Sequence, residues 1–178
     1  MAVMLGIGGV AGGPKPTASP RFEDYPAREA FAGRPVAPQI ITVSQRRYGT
    51  IIRQGVEKGW GVRVDGIEQN KPGPNFAGDM IFIQWGCGAP CMMAALVNAQ
   101  TGEVFPPPLA REDTLELPLL NIGGYSAGRN PELQFRNNSL LMVVSATPNW
   151  FKPHARSYRH YFVWELHRWV LVFKEPLD

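Results

Sequence analysis

Two cysteines and three histidines are the residues of this 178-residue chain whose types and spacing could support covalent or metal chemistry. Cys87 and Cys91 are its only cysteines, and they stand four positions apart in a turn rich in glycine and proline, between two apolar segments. They could form a structural disulfide, act as a redox or nucleophilic thiol pair, or supply two ligands to a zinc ion.

The spacing favours the disulfide. If the flanking segments form a hairpin, the two cysteines lie opposite each other at its mouth, where the Cα atoms of a cross-strand pair are about 4.5 Å apart. A reactive thiolate needs a cationic neighbour, and a zinc site needs two further ligands. Only the C-terminal histidines could provide these through the fold, and their spacing matches no common metal motif. We therefore expect no metal site and no cofactor. The histidines are His154, which we expect to be solvated, and His160 and His167, which we expect to be half-exposed on strands.

Glycine, proline and aromatic residues on both sides of one strongly apolar segment are candidate binding residues. Residues 75–78 could form a binding loop, or they could turn the chain into the first core strand with an aromatic plug. No phosphate-binding glycine loop and no Gly-x-Ser-x-Gly nucleophile motif occurs, so we identify no catalytic residues. The candidate binding residues are Asn75, Phe76, Trp85, Gly86, Gly88 and Pro90.

The composition indicates one globular, turn-rich β domain. Hydrophobic residues make up 44% of the chain and charged residues only 19%, which excludes charge-driven disorder. The 19 glycines, 17 prolines and numerous aromatic residues are typical of short strands joined by tight turns. The formal net charge of +3 is too small to indicate a nucleic-acid partner. Cations are concentrated at the C-terminal end, in residues 152–174, which we interpret as a solvated strand face, with an anion-binding strip as the alternative.

The pattern along the chain predicts an α+β fold that is mostly β. A helix is expected at residues 44–59, with Ser44 as its N-cap and an apolar face that includes Ile52 and Val56. The later segments predict six or seven strands in one antiparallel meander sheet, with this N-terminal helix packed on it. Residues 1–21 are expected to be a flexible tail or the remnant of a signal peptide, and residues 22–178 a single globular domain.

The N-terminus suggests export. The first thirteen residues carry no charge and resemble the apolar region and small-residue end of a secretory signal, although the positive region that precedes it is missing. The segment is shorter than the roughly 20 residues that span a bilayer. We therefore expect a secreted or periplasmic protein with no integral membrane segment.

Three segments together resemble a family of small exported bacterial proteins of unknown function. They read Gly-Pro-Asn-Phe-Ala-Gly at residues 73–78, Trp-Gly-Cys-Gly at residues 85–88 with Cys91 following, and Thr-Gly at residues 101–102. The resemblance covers about residues 22–173, and its most specific part is the Gly-Cys-Gly-x-x-Cys turn. This chain departs from the pattern at Asn98, where the family tends to have Asp. The resemblance implies an exported protein and brings no established activity.

Three functions are open at this level. The first is a non-enzymatic envelope module, similar to an inhibitor or immunity protein, that binds a protein or small ligand through the turn at residues 85–91. The second is a thiol-dependent enzyme that uses Cys87 or Cys91 with a C-terminal histidine. The third is a structural component of the envelope with no small-molecule site. No sequence pattern indicates the oligomeric state.

Overall fold

Packed layers of secondary structure form the protein. The computed structural model describes residues 18–59, 62–64, 67–69, 71–87, 92–110, 115–117, 133–146, 154 and 156–177. Helix α1 spans Val43–Lys58. The strands are β1 (Val62–Val64), β2 (Ile67–Gln69), β3 (Met80–Gly86), β4 (Met92–Asn98), β5 (Val104–Phe105), β6 (Glu116–Leu117), β7 (Leu133–Phe135), β8 (Leu141–Ala146), β9 (Tyr158–Glu165) and β10 (Arg168–Pro176).

The prediction of a mostly β, antiparallel protein with one helix is confirmed within the described ranges, but the strands do not form one meander. The first sheet has the order β3-β4-β5, and β6 also pairs with β4. The second sheet has the order β10-β9-β8-β7, and β1 and β2 form a separate hairpin. The physical reason is that β3 and β8 are buried on both faces. Strands of this kind need a covering layer on each side, and a second sheet provides one of the two.

The N-cap of helix α1 lies two residues earlier than the sequence predicts. Its N-cap is Thr42, whose Oγ1 accepts a hydrogen bond from the backbone N–H of Gln45 at 3.1 Å. The Gln45 Oε1 accepts in return from the Thr42 N–H at 2.9 Å. This reciprocal pair is a capping box, and it needs Gln or Glu three residues after the cap. Ser44 has Arg47 at that position, so the predicted cap at Ser44 is wrong. The predicted end at Gly59 is confirmed by its positive φ of 67°.

The helix covers one face of the first sheet. Ile52 and Val56 are buried against Ile81 and Ile83 of β3. At Gly55 a Cβ atom would lie 2.6 Å from the Ile83 Cγ2 atom, so the close approach of helix and strand requires glycine there. Packing therefore compensates for the low helix propensity of this residue.

The main core lies between the two sheets. Phe82 and Phe105 of the first sheet pack against Phe135 and Trp164 of the second, with ring centroids 5.1–5.2 Å apart for the pairs Phe82–Phe135 and Phe105–Trp164. These aromatic contacts join the facing sides of the two sheets.

The N-terminal segment forms the outermost layer over the second sheet. Phe22 and Tyr25 pack against its outer face. The Ser139 hydroxyl donates to the Phe22 carbonyl at 2.8 Å, and the Leu140 N–H donates to the Tyr25 carbonyl at 2.8 Å. The segment then continues to α1, so it ties both sheets to the helix.

Candidate functional site

The β3–β4 hairpin presents the predicted turn at one end of the first sheet. Gly86 pairs with Met92 as the last register position, so residues 87–91 connect the two strands. Gly86 is exposed, and a Cβ atom built there would have no neighbour within 4 Å. The described end of the strand, at Gly86 and Cys87, is therefore open to solvent. We call residues 85–91 the tip.

Cys87 is exposed at the start of this connection and is not a free cysteine. Gly88, Pro90 and Cys91 lie outside the described residues. The pairing of Cys87 with Cys91 therefore stays a prediction, as do the binding roles of Gly88 and Pro90.

Trp85 anchors the tip on the helix side of the sheet. Only 7% of it is exposed, and its ring centroid lies 5.5 Å from that of Tyr48 on α1. Its indole Nε1–H is buried and has no hydrogen-bond acceptor in the structure. A buried donor without a partner costs about 1–3 kcal/mol, so this end of the sheet is not optimised for stability alone.

Gln84 is a residue beside the tip that the sequence analysis did not single out. It lies on the opposite face of β3, where its Nε2 donates to the Met92 Sδ at 2.6 Å. Its Oε1 is buried without a donor. The available signal was a single amide side chain inside the apolar segment of residues 80–85. Two buried, unpaired polar atoms therefore flank the base of the tip, one on each face.

Asn75 and Phe76 lie inside the fold, at the other end of β3. The Asn75 Nδ2 donates to the Phe82 carbonyl at 3.0 Å, and its Oδ1 accepts from the Phe82 N–H at 2.7 Å. Phe76 is 0% exposed and packs against Phe135 and Trp169. These contacts occupy both side chains and favour the interpretation as an aromatic plug that starts the core strand, so we do not include them in the proposed site.

The three histidines do not come together with the tip in the described parts of the chain. His167 is exposed and packs on Phe105, 5.4 Å between ring centroids. Phe105 pairs with Leu96, four residues along β4 from Met92. At about 3.3 Å per residue this places the His167 contact roughly 13 Å along the sheet from the tip.

His160 is buried, which corrects the expectation of a half-exposed residue. It is 2% exposed on the inner face of β9, and its Nδ1 lies 3.4 Å from the Val144 carbonyl oxygen. Burial lowers the pKa of His160, and the nearby Lys174 ammonium lowers it further. A neutral buried imidazole does not provide the cation that would activate a thiolate. His154 is exposed, as expected.

The second sheet carries a polar cluster that fastens the chain near residue 19. The Glu175 carboxylate accepts from the Tyr161 hydroxyl at 2.7 Å, from Arg159 at 3.2 Å and from the Ser19 hydroxyl at 2.9 Å. The hydrogen bond from Tyr161 is the main cause of the lowered pKa of Glu175. All the groups of this cluster are engaged with one another, so we interpret it as structural.

A shallow depression of about 370 Å³ lies where the N-terminal segment crosses the turn between β7 and β8. Its lining includes Arg28, Glu29 and Asn137, and the Asn137 Oδ1 is buried without a donor. The Gly78 N–H donates to the Asn137 carbonyl at 2.6 Å, so the depression follows from the packing of two backbone segments.

Two classes of site are not seen in the described ranges. No group of three or more histidine, cysteine, aspartate or glutamate side chains comes together there in a way that could hold a metal ion. No helix in the same ranges has the length and apolar character needed to cross a membrane.

Comparison with known proteins gives no relative to set beside this geometry. No protein-family model, curated protein or solved structure matches the chain.

Proposed function

We propose that this protein is an exported, non-enzymatic module of the cell envelope that binds a protein or small ligand through its tip, in the manner of an inhibitor or immunity protein. The observation that carries the proposal is the register of the β3–β4 hairpin. The register ends at the Gly86–Met92 pair, so five residues connect the two strands. Gly86, beside this connection, is exposed and has no atom within 4 Å of the position of a Cβ.

The strands behind the tip supply a rigid support. β3 and β4 are paired along seven positions, and apolar side chains on both faces are packed against α1 and the second sheet. A loop held on rigid strands loses little conformational freedom when a partner binds, which favours affinity. The exposed Gly86 allows the backbone of a partner to approach closely.

A disulfide between Cys87 and Cys91 would complete this support. Continuing the observed register by one position would pair residue 87 with residue 91 at a hydrogen-bonded position of the ladder. Cα atoms at such a position are about 5.5 Å apart rather than the about 4.5 Å of a non-hydrogen-bonded pair, which is still within the range that a disulfide allows. Because the closed loop is small, its contribution to stability is at the low end of about 2–4 kcal/mol. Its main effect is to fix the shape of the tip. Export would place the protein where such a bond persists, in agreement with the family that the sequence resembles.

The thiol-dependent enzyme has weaker support. Cys87 is not a free cysteine, and the described histidines are buried, exposed elsewhere or roughly 13 Å away along the sheet. A nucleophilic thiolate requires an adjacent base or cation, and no described histidine provides one. We therefore keep binding as the proposed function.

Capture from an envelope extract tests the role of the tip. Wild-type protein and a variant carrying Gly88→Trp and Pro90→Trp are immobilised, and retained proteins are quantified by mass spectrometry. We expect a partner that the wild type retains and the tip variant loses. Leu166→Trp is the control, since it places an exposed tryptophan on the β9–β10 turn instead of the tip, and we expect it to retain the partner. Equal retention by the tip variant, with its unfolding midpoint unchanged, would reject the tip as the site.

Fractionation tests the proposed location separately. After osmotic shock of cells that make the full chain with a C-terminal tag, we expect the protein in the periplasmic fraction. Recovery from the cytosol with Met1 still present would contradict export.

A further inference from the structure

The solvent face of α1 carries cations that the fold leaves unpaired. Arg46, Arg47 and Arg53 are all exposed, and none forms an ion pair with an acidic residue in the described part of the chain. The Arg53 side chain reaches back one turn, so that its Nη1 lies 3.3 Å from the position of a Cβ at Gly49. The three cations therefore surround the N-terminal half of the helix, with the Arg47 guanidinium on the flank of Tyr48 and the Arg53 guanidinium on the flank of Gly49. We call these residues the arginine face.

Their position is unfavourable for the helix itself. The N-terminal end of a helix carries partial positive charge, which favours acidic residues, and the first turn of α1 has none. The compensating contacts are few: Arg46 donates to the Ile41 carbonyl, and the Arg47 guanidinium lies 5.5 Å from the Tyr48 ring centroid. Residues that break a local stability rule without full compensation mark a functional surface.

Exposed aliphatic side chains accompany the arginines. Ile41 lies two residues before the first helical residue and is 64% exposed. Val43 is the first helical residue and is 76% exposed. Val43 is three and four residues from Arg46 and Arg47, so all three lie on the same side of the helix, opposite the buried Ile52 and Val56. The surface therefore combines apolar and cationic side chains on one side.

Two stretches of the chain are strongly cationic, and the arginine face lies in one of them. Residues 28–58 contain six arginine or lysine residues and two acidic ones, a net charge of +4, and residues 152–174 contain five and one, also +4. In the second stretch Arg159 is paired with Glu175 and Lys174 lies over the Tyr158 ring, whereas the arginines of α1 have no acidic partner among the described residues. An anionic surface is therefore attracted to the face of α1.

We propose that the arginine face, together with Ile41 and Val43, binds the surface of an anionic phospholipid bilayer. The guanidinium groups would contact lipid phosphates, and the two aliphatic side chains would enter the boundary between headgroups and acyl chains, as in interfacial helices. The cations alone would also suit an acidic protein, but exposed aliphatic residues on the same face favour a bilayer. The capped end of α1 is not the anion site, since Gln45 and Thr42 already satisfy each other's backbone groups.

The arginine face meets the support of the tip at one point. The Arg47 guanidinium lies 5.5 Å from the Tyr48 ring centroid, and Tyr48 packs on Trp85. A variant with only Arg46→Gln and Arg53→Gln leaves Arg47 in place, so it tests lipid binding without altering the tip, and either proposal can fail alone.

Vesicle co-sedimentation of the full chain tests the proposal. The probes are vesicles of phosphatidylcholine alone and vesicles in which half of the lipid is phosphatidylglycerol. We expect binding to the anionic vesicles only. The protein should be released as the salt concentration rises from about 50 mM to about 500 mM, because added salt screens the attraction between the arginines and the lipid phosphates. Each arginine near an anionic surface contributes about fivefold to the partition coefficient. A variant with Arg46→Gln, Arg47→Gln and Arg53→Gln should therefore bind roughly 100-fold more weakly.

A matched variant controls for net charge. Arg136→Gln, Arg156→Gln and Lys174→Gln remove the same charge beside or on the second sheet, away from α1, and should leave vesicle binding within about twofold of wild type. A variant with Ile41→Ser and Val43→Ser should weaken vesicle binding while leaving binding to polyglutamate unchanged. The uncharged first thirteen residues could also associate with lipid, but that association would not depend on the arginines of α1.

Three results would overturn the proposal. These are no binding of wild type to anionic vesicles, equal loss in the matched variant, and vesicle binding that the two serine substitutions leave unchanged. The last result would indicate an acidic chain as the partner. Unfolding midpoints of all variants confirm that the fold is intact, and we expect the arginine variant to be at least as stable as wild type.

Discussion

The segments at the two ends of β3 both contain candidate binding residues, but they have different roles in the structure. At its start, Asn75 and Phe76 are engaged in hydrogen bonds to Phe82 and in the core between the sheets. At its end, Trp85 has an unpaired indole N–H and Gly86 faces open space. Both ends looked like binding segments in the sequence. The difference is whether the residues are already engaged by the fold: Asn75 and Phe76 are, whereas Gly86 at the tip is exposed to a partner.

The largest effect is expected at the start of the strand, from Phe76→Ala. Removing a fully buried aromatic ring loses its transfer free energy and leaves a cavity, which costs about 3–5 kcal/mol. Urea unfolding followed by tryptophan fluorescence measures it. A loss of less than about 1 kcal/mol would contradict the plug and return Phe76 to the candidate binding residues.

Asn75→Ala should have the next largest effect. It removes both partners of the Phe82 backbone groups that the side chain now satisfies, and buried groups left unpaired cost about 1–3 kcal/mol. Asn138→Ala is the control, because Asn138 is exposed and its side chain forms no hydrogen bond that holds a strand. Equal unfolding free energies for the two variants would show that Asn75 does not support the strand.

Burial of His160 between the sheets makes the free energy of unfolding depend on pH. Burial lowers its pKa below the usual value of 6.5, so the unfolded chain takes up a proton that the folded chain does not. Its contribution to stability is complete above pH 6.5 and is lost as the pH falls toward the folded pKa. Each unit by which the pKa is lowered corresponds to about 1.4 kcal/mol.

We expect the unfolding free energy of wild type to fall between pH 7 and pH 5, and that of His160→Gln to fall less. His154→Gln, which removes an exposed histidine, serves as the control and should follow wild type. Identical slopes for wild type and His160→Gln would show that His160 titrates as freely in the folded protein as in the unfolded chain.

The same substitution at two glycines sharpens the contrast between core and tip. Gly55→Ala places a Cβ 2.6 Å from the Ile83 Cγ2 and forces the helix and β3 apart, at a cost of about 1–3 kcal/mol. Gly86→Ala meets no atom within 4 Å and should change stability by less than about 0.5 kcal/mol. Thermal unfolding of the two variants side by side measures the difference. A large loss at Gly86 would mean that the tip is part of the fold.

Local patterns were sufficient to predict the elements but not their assembly. The period of Ile52 and Val56 identified the helix and its buried face, and the run at residues 80–85 identified β3. The split into two sheets does not follow from the local pattern, because the continuous apolar character of β3 and β8 indicates a strand without showing which layers cover its two faces. The cap at Thr42 follows from Gln45 three residues on, and the apolar period of the helix does not reveal it.

The candidate site depended on the tertiary structure in a different way. The hairpin register confirms that residues 87–91 connect two strands, as the cysteine spacing suggested. The burial of Phe76 and His160 could not be inferred from local sequence, because it depends on which face of a strand meets the other sheet. The polar atoms of Gln84 and Trp85 without partners are likewise visible only when every neighbour is in place.

Thiol labelling of the native protein tests the central claim about the tip, that it is a covalently closed loop carried by a fold that does not need it. Protein isolated from the periplasm without reductant is treated with an excess of maleimide and analysed by mass spectrometry. The account predicts no modified cysteine before reduction, two after reduction, and an unfolding free energy that falls by no more than about 2 kcal/mol on reduction. Maleimide on Cys87 or Cys91 in the native, unreduced protein would contradict it.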